Sequence, residues 1–180
     1  MNASDIRVTE TIALAPMTRA DAAPLFALID GDRAHLGRWL GFVALTWSVH
    51  DTAAFIESTL SDAARGRARV YTIRDGGSLV GVIGFNAIDR PNRVGEIGYW
   101  LVSSATGRGV MTEALRALLA HAHAAMGLHR CEVVVALGNI PSCAVAERAG
   151  MQREAVLRER IEHEARLLDA ALYVAFPAPR

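Results

Sequence analysis

The stretch "GEIGYWLVSSATGRGVMTEALRALLAHA", residues 95–122, decides how this chain is read. Its opening alternates in character as a strand does, with Glu96, Gly98, Trp100 and Val102 on one face and Ile97, Tyr99 and Leu101 on the other. Beyond it, Met111, Leu115, Leu118, Leu119, Ala122 and Met126 recur at helical spacing until Gly127 closes the helix. Strand and helix are joined through Thr106-Gly107-Arg108-Gly109. A helix start exposes unpaired N–H groups and carries partial positive charge, which together favour an anion. Glycines on either side of Arg108 let an anion approach the backbone; Arg108 can add a charged contact and Thr112 a hydroxyl. A tight turn that merely needs glycine would use the same letters, so the motif alone does not choose. Gly98, lacking a side chain, leaves room on the strand for something to lie close.

Working outward, "ETIALAPM" reads as a first strand. Thr18 with Asp21 has the form of a helix start, and the helix runs to Gly31. Residues 32–50, with Trp39, Phe42 and Trp47 among glycines, read as short helical turns and loop. A second helix starts with Asp51 as its cap and ends at Gly66. "RARVYTIRD", a turn at Asp75-Gly76-Gly77, "SLVGVIGFNAI", the turn "DRPN" and "RVGEIGYWLV" predict a three-stranded antiparallel meander. "HRCEVVVAL" is a buried strand, Pro141 and Gly150 bracket a short helix, and "MQREAVLRERI" with "LLDAALYVAF" forms a final hairpin. The pattern predicts one domain over residues 1–180, of α+β class, with seven strands in a mixed, mostly antiparallel sheet flanked by helices.

Composition narrows the function. Half the residues are hydrophobic (52%) and 21% are charged, the balance of a water-soluble globular domain. Formal net charge is zero, so no overall field draws the protein to nucleic acid or to an anionic membrane. All 19 basic residues are arginine, which excludes a Schiff-base lysine and a Walker-type phosphate lysine. Cys131 and Cys143 make neither a disulfide framework nor a zinc site, and no metal is expected. The N-terminus has no basic-then-apolar signal and no apolar run reaches membrane length, so a cytoplasmic location is expected.

Two blocks, "GFNAIDRPNRVGEIGYWLVSSATGRGVMTEAL" and "VVVALGNIPSCAVAERAGMQREAVLRER", resemble the GNAT superfamily of acyl-CoA N-acyltransferases. Within it they are most similar to the ribosomal-protein N-terminal acetyltransferases, over residues 9–176. The resemblance implies acetyl-CoA as donor, bound in a cleft where the fourth and fifth expected strands splay apart. It implies that backbone amides of Gly107, Arg108, Gly109, Val110, Met111 and Thr112 hold the pyrophosphate. Tyr99, Trp100, Leu101 and Val102 would flank the pantetheine arm. The chain departs from the family pattern at Thr106, where Gln or Arg usually opens the loop, and at Met111, where Gly or Ala usually closes it. Backbone amides survive both changes. Related enzymes suggest a homodimer.

Acyl transfer from a thioester to an amine needs a neutral amine, a stabilised oxyanion and a proton for the departing thiolate. A backbone N–H near Trp100 or Leu101 can polarise the thioester carbonyl. The family places a serine beside the thiol, which makes Ser142 the candidate proton donor; locally, a serine there also bonds helix backbone. Asn139 would bind the cofactor or orient Ser142. Glu96, on the strand beside the thioester, is the candidate base, directly or through a water, although a water could serve without it. Asp169 is the weaker alternative, or a contact for the incoming amine. Trp39, Phe42 and Trp47, with Trp100 and Tyr173 beneath, mark the acceptor pocket, Trp39 foremost. A free α-amine (pKa ~7.8) is about a tenth neutral at pH 7, against about 0.04% for lysine (~10.4). A site without a strong base therefore suits a protein N-terminus better than a lysine. Two rivals stay open: acetylation of a small-molecule amine, and an acyl-CoA-binding sensor without turnover.

His121 and His123, two apart on a helix, do not share a face and make a poor metal pair. Cys143 reads as a small packing residue, and Arg65, Arg67 and Arg69 as a solvated strand start.

Overall fold

The computed structural model describes residues 5–178. Among them eight strands form one sheet, in the order β1-β2-β3-β4-β5-β6-β8-β7. They are β1 (Ile6–Arg7), β2 (Ile12–Pro16), β3 (Arg69–Asp75), β4 (Ser78–Asp89), β5 (Val94–Leu101), β6 (Arg130–Ala136), β7 (Gln152–His163) and β8 (Arg166–Ala175). The expected count was seven. The extra strand is the two-residue β1, which pairs Ile6 with Leu14 and Arg7 with Ala13 in a polar stretch too short to show alternation. The fourth and fifth expected strands are therefore β5 and β6.

Helices cover both faces. α1 (Ala22–Gly31), α2 (Arg33–Leu36) and α3 (Val49–Ala64) lie on one side, where Leu25, Ile29, Leu36 and Ile56 pack with Val82 of the sheet. α4 (Val110–Ala124) and α5 (Ile140–Arg148) lie on the other, where Leu115 and Leu118, both fully buried, pack against Ile83, Phe85 and Ile97. Burying a leucine of this kind stabilises the fold by about 1.5–3 kcal/mol. The predicted Thr18/Asp21 start is a capping box, with Asp21 accepting from both the Thr18 N–H and its hydroxyl. For α3, however, the cap is Ser48; Asp51 is the third helical residue, whose carboxylate reaches back to the Ser48 N–H. The short helical turns expected over residues 32–50 are α2 and a 3-10 turn, Gly41–Leu45.

Every neighbouring pair of strands is antiparallel except β5 and β6, whose connection through α4 makes them parallel. That pair is short. Val94, Gly95 and Glu96 pair with Arg130, Cys131 and Glu132, and no further partners follow. β5 goes on alone on that side to Leu101 while β6 continues its ladder with β8 up to Ala136, opposite Ala170. The sheet therefore opens into a wedge above Glu96.

Candidate active site

The wedge has one edge of unpaired backbone, and its residues can be assigned. Val102 donates its N–H to the Val80 carbonyl, on the β4 side. Because backbone groups of a strand alternate between its two edges, Trp100 also faces β4, while the N–H and C=O of Tyr99 and Leu101 face the wedge. Of the two residues expected to offer an N–H to a carbonyl, the structure thus selects Leu101. Val102 is corrected: its amide is already used, and its side chain is buried in the core.

At the top of the wedge, Gly107 and Gly109 adopt φ of 74° and 81°, the left-handed region that residues with a Cβ avoid. These two turns swing the chain from the 3-10 turn Ser103–Ala105 into α4 without a connecting loop. The first backbone bond of α4 runs from the Glu113 N–H to the Gly109 carbonyl, at 3.0 Å. The amides of residues 107–112 consequently have no acceptor among the described residues. The Arg108 side chain takes no part, turning away to an ion pair with Asp75 at 2.7 Å. Thr106, the unusual loop opener, closes its own turn by donating its hydroxyl to the Ser103 carbonyl at 2.8 Å. Met111, the unusual closer, is buried in the core, so neither departure obstructs the amides.

Amides and strand edge meet in a cavity of about 730 Å³. Tyr99, Trp100, Leu101, Gly107, Gly109, Val110, Met111, Thr112, Asn139, Ser142 and Trp39 all line it. The Pro141-led turn into α5 supplies Ser142. Asn139 caps that helix, its Oδ1 accepting the Ser142 N–H at 3.3 Å, and so fixes the serine. The Ser142 hydroxyl donates to the Tyr99 hydroxyl at 3.1 Å, and Tyr99 donates to the Ser142 carbonyl at 3.1 Å. Burial pushes the Tyr99 phenol up to about 12, so it keeps its proton at any physiological pH. Sequence reasoning placed Tyr99 beside the cofactor but missed its hydroxyl as the partner of Ser142. Only packing between β5 and α5, 43 residues apart, brings the two together.

The remaining expected residues lie elsewhere. Glu96 is half-buried at the foot of the wedge, beside Glu132, and does not line the cavity. At about 3.3 Å per residue it lies some ~16 Å of strand below Leu101. The space over Gly98 is taken: a Cβ there would sit 2.4 Å from the Asn86 carboxamide, which a β4 bulge places above it. Tyr173 is corrected from pocket to core, being 1% exposed with its hydroxyl donated to Glu147 at 2.8 Å. Burial and that carboxylate both raise the Tyr173 phenol above its ordinary value. Asp169 is likewise structural: its carboxylate accepts the Glu159 N–H at 2.9 Å, where β7 bulges and Glu159 has φ of 50°. Phe42 rests 6.3 Å from the Trp100 ring, and Trp47, 70% exposed, lies under the Arg33 guanidinium at 4.5 Å. His35, Arg38 and Arg148 also line the cavity, and sequence reasoning did not find them. No cluster of metal-ligating side chains occurs among the described residues.

A strand edge left free where two parallel strands part, a glycine turn of free amides, and a helix-borne serine together define an acyl-transfer site. The chain belongs to the GNAT acetyltransferase family, whose domain model matches residues 11–152, and it is an N-acetyltransferase. The ribosomal-protein-serine acetyltransferase of Escherichia coli (strain K12) is 32% identical over 154 residues, 86% of each chain. YdaF of Bacillus subtilis (strain 168), provisionally named a ribosomal N-acetyltransferase, is 36% identical over 157 residues, 85% of this chain and 84% of its own. Among solved structures, RimL, a ribosomal L7/L12 alpha-N-protein acetyltransferase in complex with coenzyme A, superposes with a TM-score of 0.93. Its identity is 26%, over 96% of this chain and 98% of that one.

Proposed function

We propose that this enzyme transfers the acetyl group of acetyl-CoA to the N-terminal α-amine of a ribosomal protein, in the cytoplasm. The observation that carries the reading is the convergence of the free amides of residues 107–112, the open edge at Tyr99 and Leu101, and Ser142 on one cavity. The site fits the donor: amides at a helix start suit a diphosphate, and an unpaired strand edge suits the two amides of a pantetheine arm. The cavity lining includes no carboxylate to repel either.

Acetyl-CoA supplies an activated thioester; the chain's own residues do the rest. The Leu101 N–H polarises the thioester carbonyl and stabilises the charge that develops there. Ser142 Oγ protonates the departing sulfur and recovers a proton from the water that receives the amine's. Tyr99, which keeps its own proton, can turn its hydroxyl to donate back to Ser142 across the 3.1 Å separation. Asn139 holds Ser142 in place through the amide bond to its Oδ1. Glu96, outside the cavity lining and ~16 Å of strand below Leu101, is too far to reach the amine directly or through one water, so water takes the amine's proton. A site without a strong base matches a weakly basic acceptor: about a tenth of an α-amine is already neutral at pH 7.

The test is an acceptor comparison with acetyl-CoA, read by thiol release and by mass. Peptides with free N-termini should gain one acetyl group on the α-amine, while the same peptides blocked at the N-terminus but carrying lysine should not. Acetylation confined to polyamines or amino acids would instead assign a small-molecule acceptor. Coenzyme A binding without thiol release on any amine would leave only the sensor reading.

A further inference from the structure

The cavity is basic, in a chain whose formal net charge is zero. Its lining includes His35, Arg38 and Arg148 and no Asp or Glu. Arg148 is engaged, its Nε donating to the Thr112 hydroxyl at 3.4 Å on the first turn of α4. Arg38 is not: it lines the cavity yet is exposed, with no hydrogen bond or ion pair to any described residue. Its placement is fixed from the neighbouring turn. Asp32 accepts both the N–H and the hydroxyl of Ser103, at 2.5 and 3.0 Å, which ties the start of α2 to the segment leading into the glycine turn. His35 and Arg38 follow Asp32 through a segment that keeps helical bonding to the Leu40 N–H, and both line the cavity.

We infer that Arg38 is a phosphate clamp for the donor, reaching from the turn after α2 to the phosphates that the amides of residues 107–112 hold. This rests on the donor being acetyl-CoA and goes beyond that reading by giving the acceptor-side segment a part in donor binding. It also supplies the loop with a cation where Thr106 opens it and Arg108 is committed to Asp75. An arginine held at no cost to an existing pair can offer two parallel N–H bonds to a phosphate, which an ammonium cannot.

The experiment is calorimetric binding of coenzyme A and of pantetheine, which lacks the phosphates, to the full-length protein and to Arg38→Gln and Arg38→Lys. Thermal melts check that the variants fold. Arg38→Gln should weaken coenzyme A by about tenfold, equivalent to ~1.4 kcal/mol, and leave pantetheine unchanged. Arg38→Lys should recover part of that loss, and the salt dependence of coenzyme A binding should flatten in Arg38→Gln. Unchanged coenzyme A affinity in Arg38→Gln, or equal loss of coenzyme A and pantetheine, would overturn the clamp while leaving the donor assignment intact. If the unaltered protein binds no coenzyme A, the donor assignment fails and the clamp with it.

Discussion

The glycine corner and the segment of residues 33–49 border the same cavity and are built on opposite principles. At the corner, the groups left free are main-chain amides, and the side chains nearby serve the fold: Met111 is 6% exposed in the core, and Arg108 is bound to Asp75. Across the cavity, side chains do the presenting. His35, Arg38 and Trp39 line it, while Leu45 and Trp47, 77% and 70% exposed, lie outside the lining on a turn held by the Arg33 guanidinium, which donates to the carbonyls of Val43 and Thr46. Backbone recognition tolerates substitution, because the amide stays when the side chain changes. Side-chain recognition does not. One wall can therefore bind the same donor across a family while the other is free to vary with the acceptor.

The largest effect should come from the residue where the two walls meet in chemistry. Ser142→Ala removes the hydroxyl between Tyr99 and the sulfur, and general acid catalysis is worth about 10²-fold or more. We expect kcat to fall by roughly that factor, with coenzyme A affinity unchanged because the Ser142 N–H and its bond to Asn139 survive. Burial holds Tyr99 protonated to about pH 12, so the ratio of variant to parent rates should stay flat from pH 6 to 10. Steady-state rates across that range check this. A ratio that changes with pH would mean that Tyr99 titrates in the working range and is not the steady partner described above.

A smaller effect, confined to the donor, is expected at Gly109. Valine at φ of 81° is strained by about 1–2 kcal/mol, since its Cβ crowds the carbonyl in the left-handed region. Nothing lies within 4 Å of the Cβ that would be added, so the fold can accept the side chain but the turn cannot keep its dihedrals. Relaxation would rotate the neighbouring amides off their common target. Gly109→Val should weaken coenzyme A by about tenfold, corresponding to the strain, with the acceptor KM little changed at saturating donor. If the acceptor KM rose as much as the donor Kd, the two walls would not be separable in function.

Legibility followed the same division. The donor wall was readable because the strand, the glycine turn and the helix are local: period, glycine and helix start all lie within residues 95–122. Ser142 and Asn139 were readable through the family resemblance, and the capping bond between them follows from their spacing. Contacts between distant segments were not readable. Nothing in the spacing of Tyr99 and Ser142 says that their hydroxyls meet, and no pattern revealed that Tyr173 faces the core rather than the pocket. Strand alternation gave the faces of β5 correctly but not its edges; assigning the wedge-facing amides needed the single bond from Val102 to Val80. The aromatic cluster gave a composition without directions; the family resemblance put Trp39 foremost, and the cavity lining includes Trp39 but not Phe42 or Trp47.

The smallest expected effect isolates the acceptor wall. Trp39 is half-buried, and its ring lies over the β6–α5 turn: a Cβ on Gly138 would stand 3.2 Å from its Cη2 atom. It thus spans from the turn after α2 to the residue before Asn139 and lines the cavity there. Trp39→Ala removes apolar surface from that lining and leaves the amides of residues 107–112 untouched. With only part of an indole's burial at stake, a loss of about 1 kcal/mol is reasonable, which corresponds to a roughly fivefold rise in the KM for an acceptor peptide. The coenzyme A Kd should move by less than the acceptor KM, even though the adjacent Arg38 answers to the donor. Peptide kinetics at saturating acetyl-CoA, set beside calorimetry with coenzyme A alone, separate the two quantities. A larger shift in donor affinity than in acceptor KM would place Trp39 with the glycine corner, and the acceptor would then have to be sought on the exposed patch around Leu45 and Trp47.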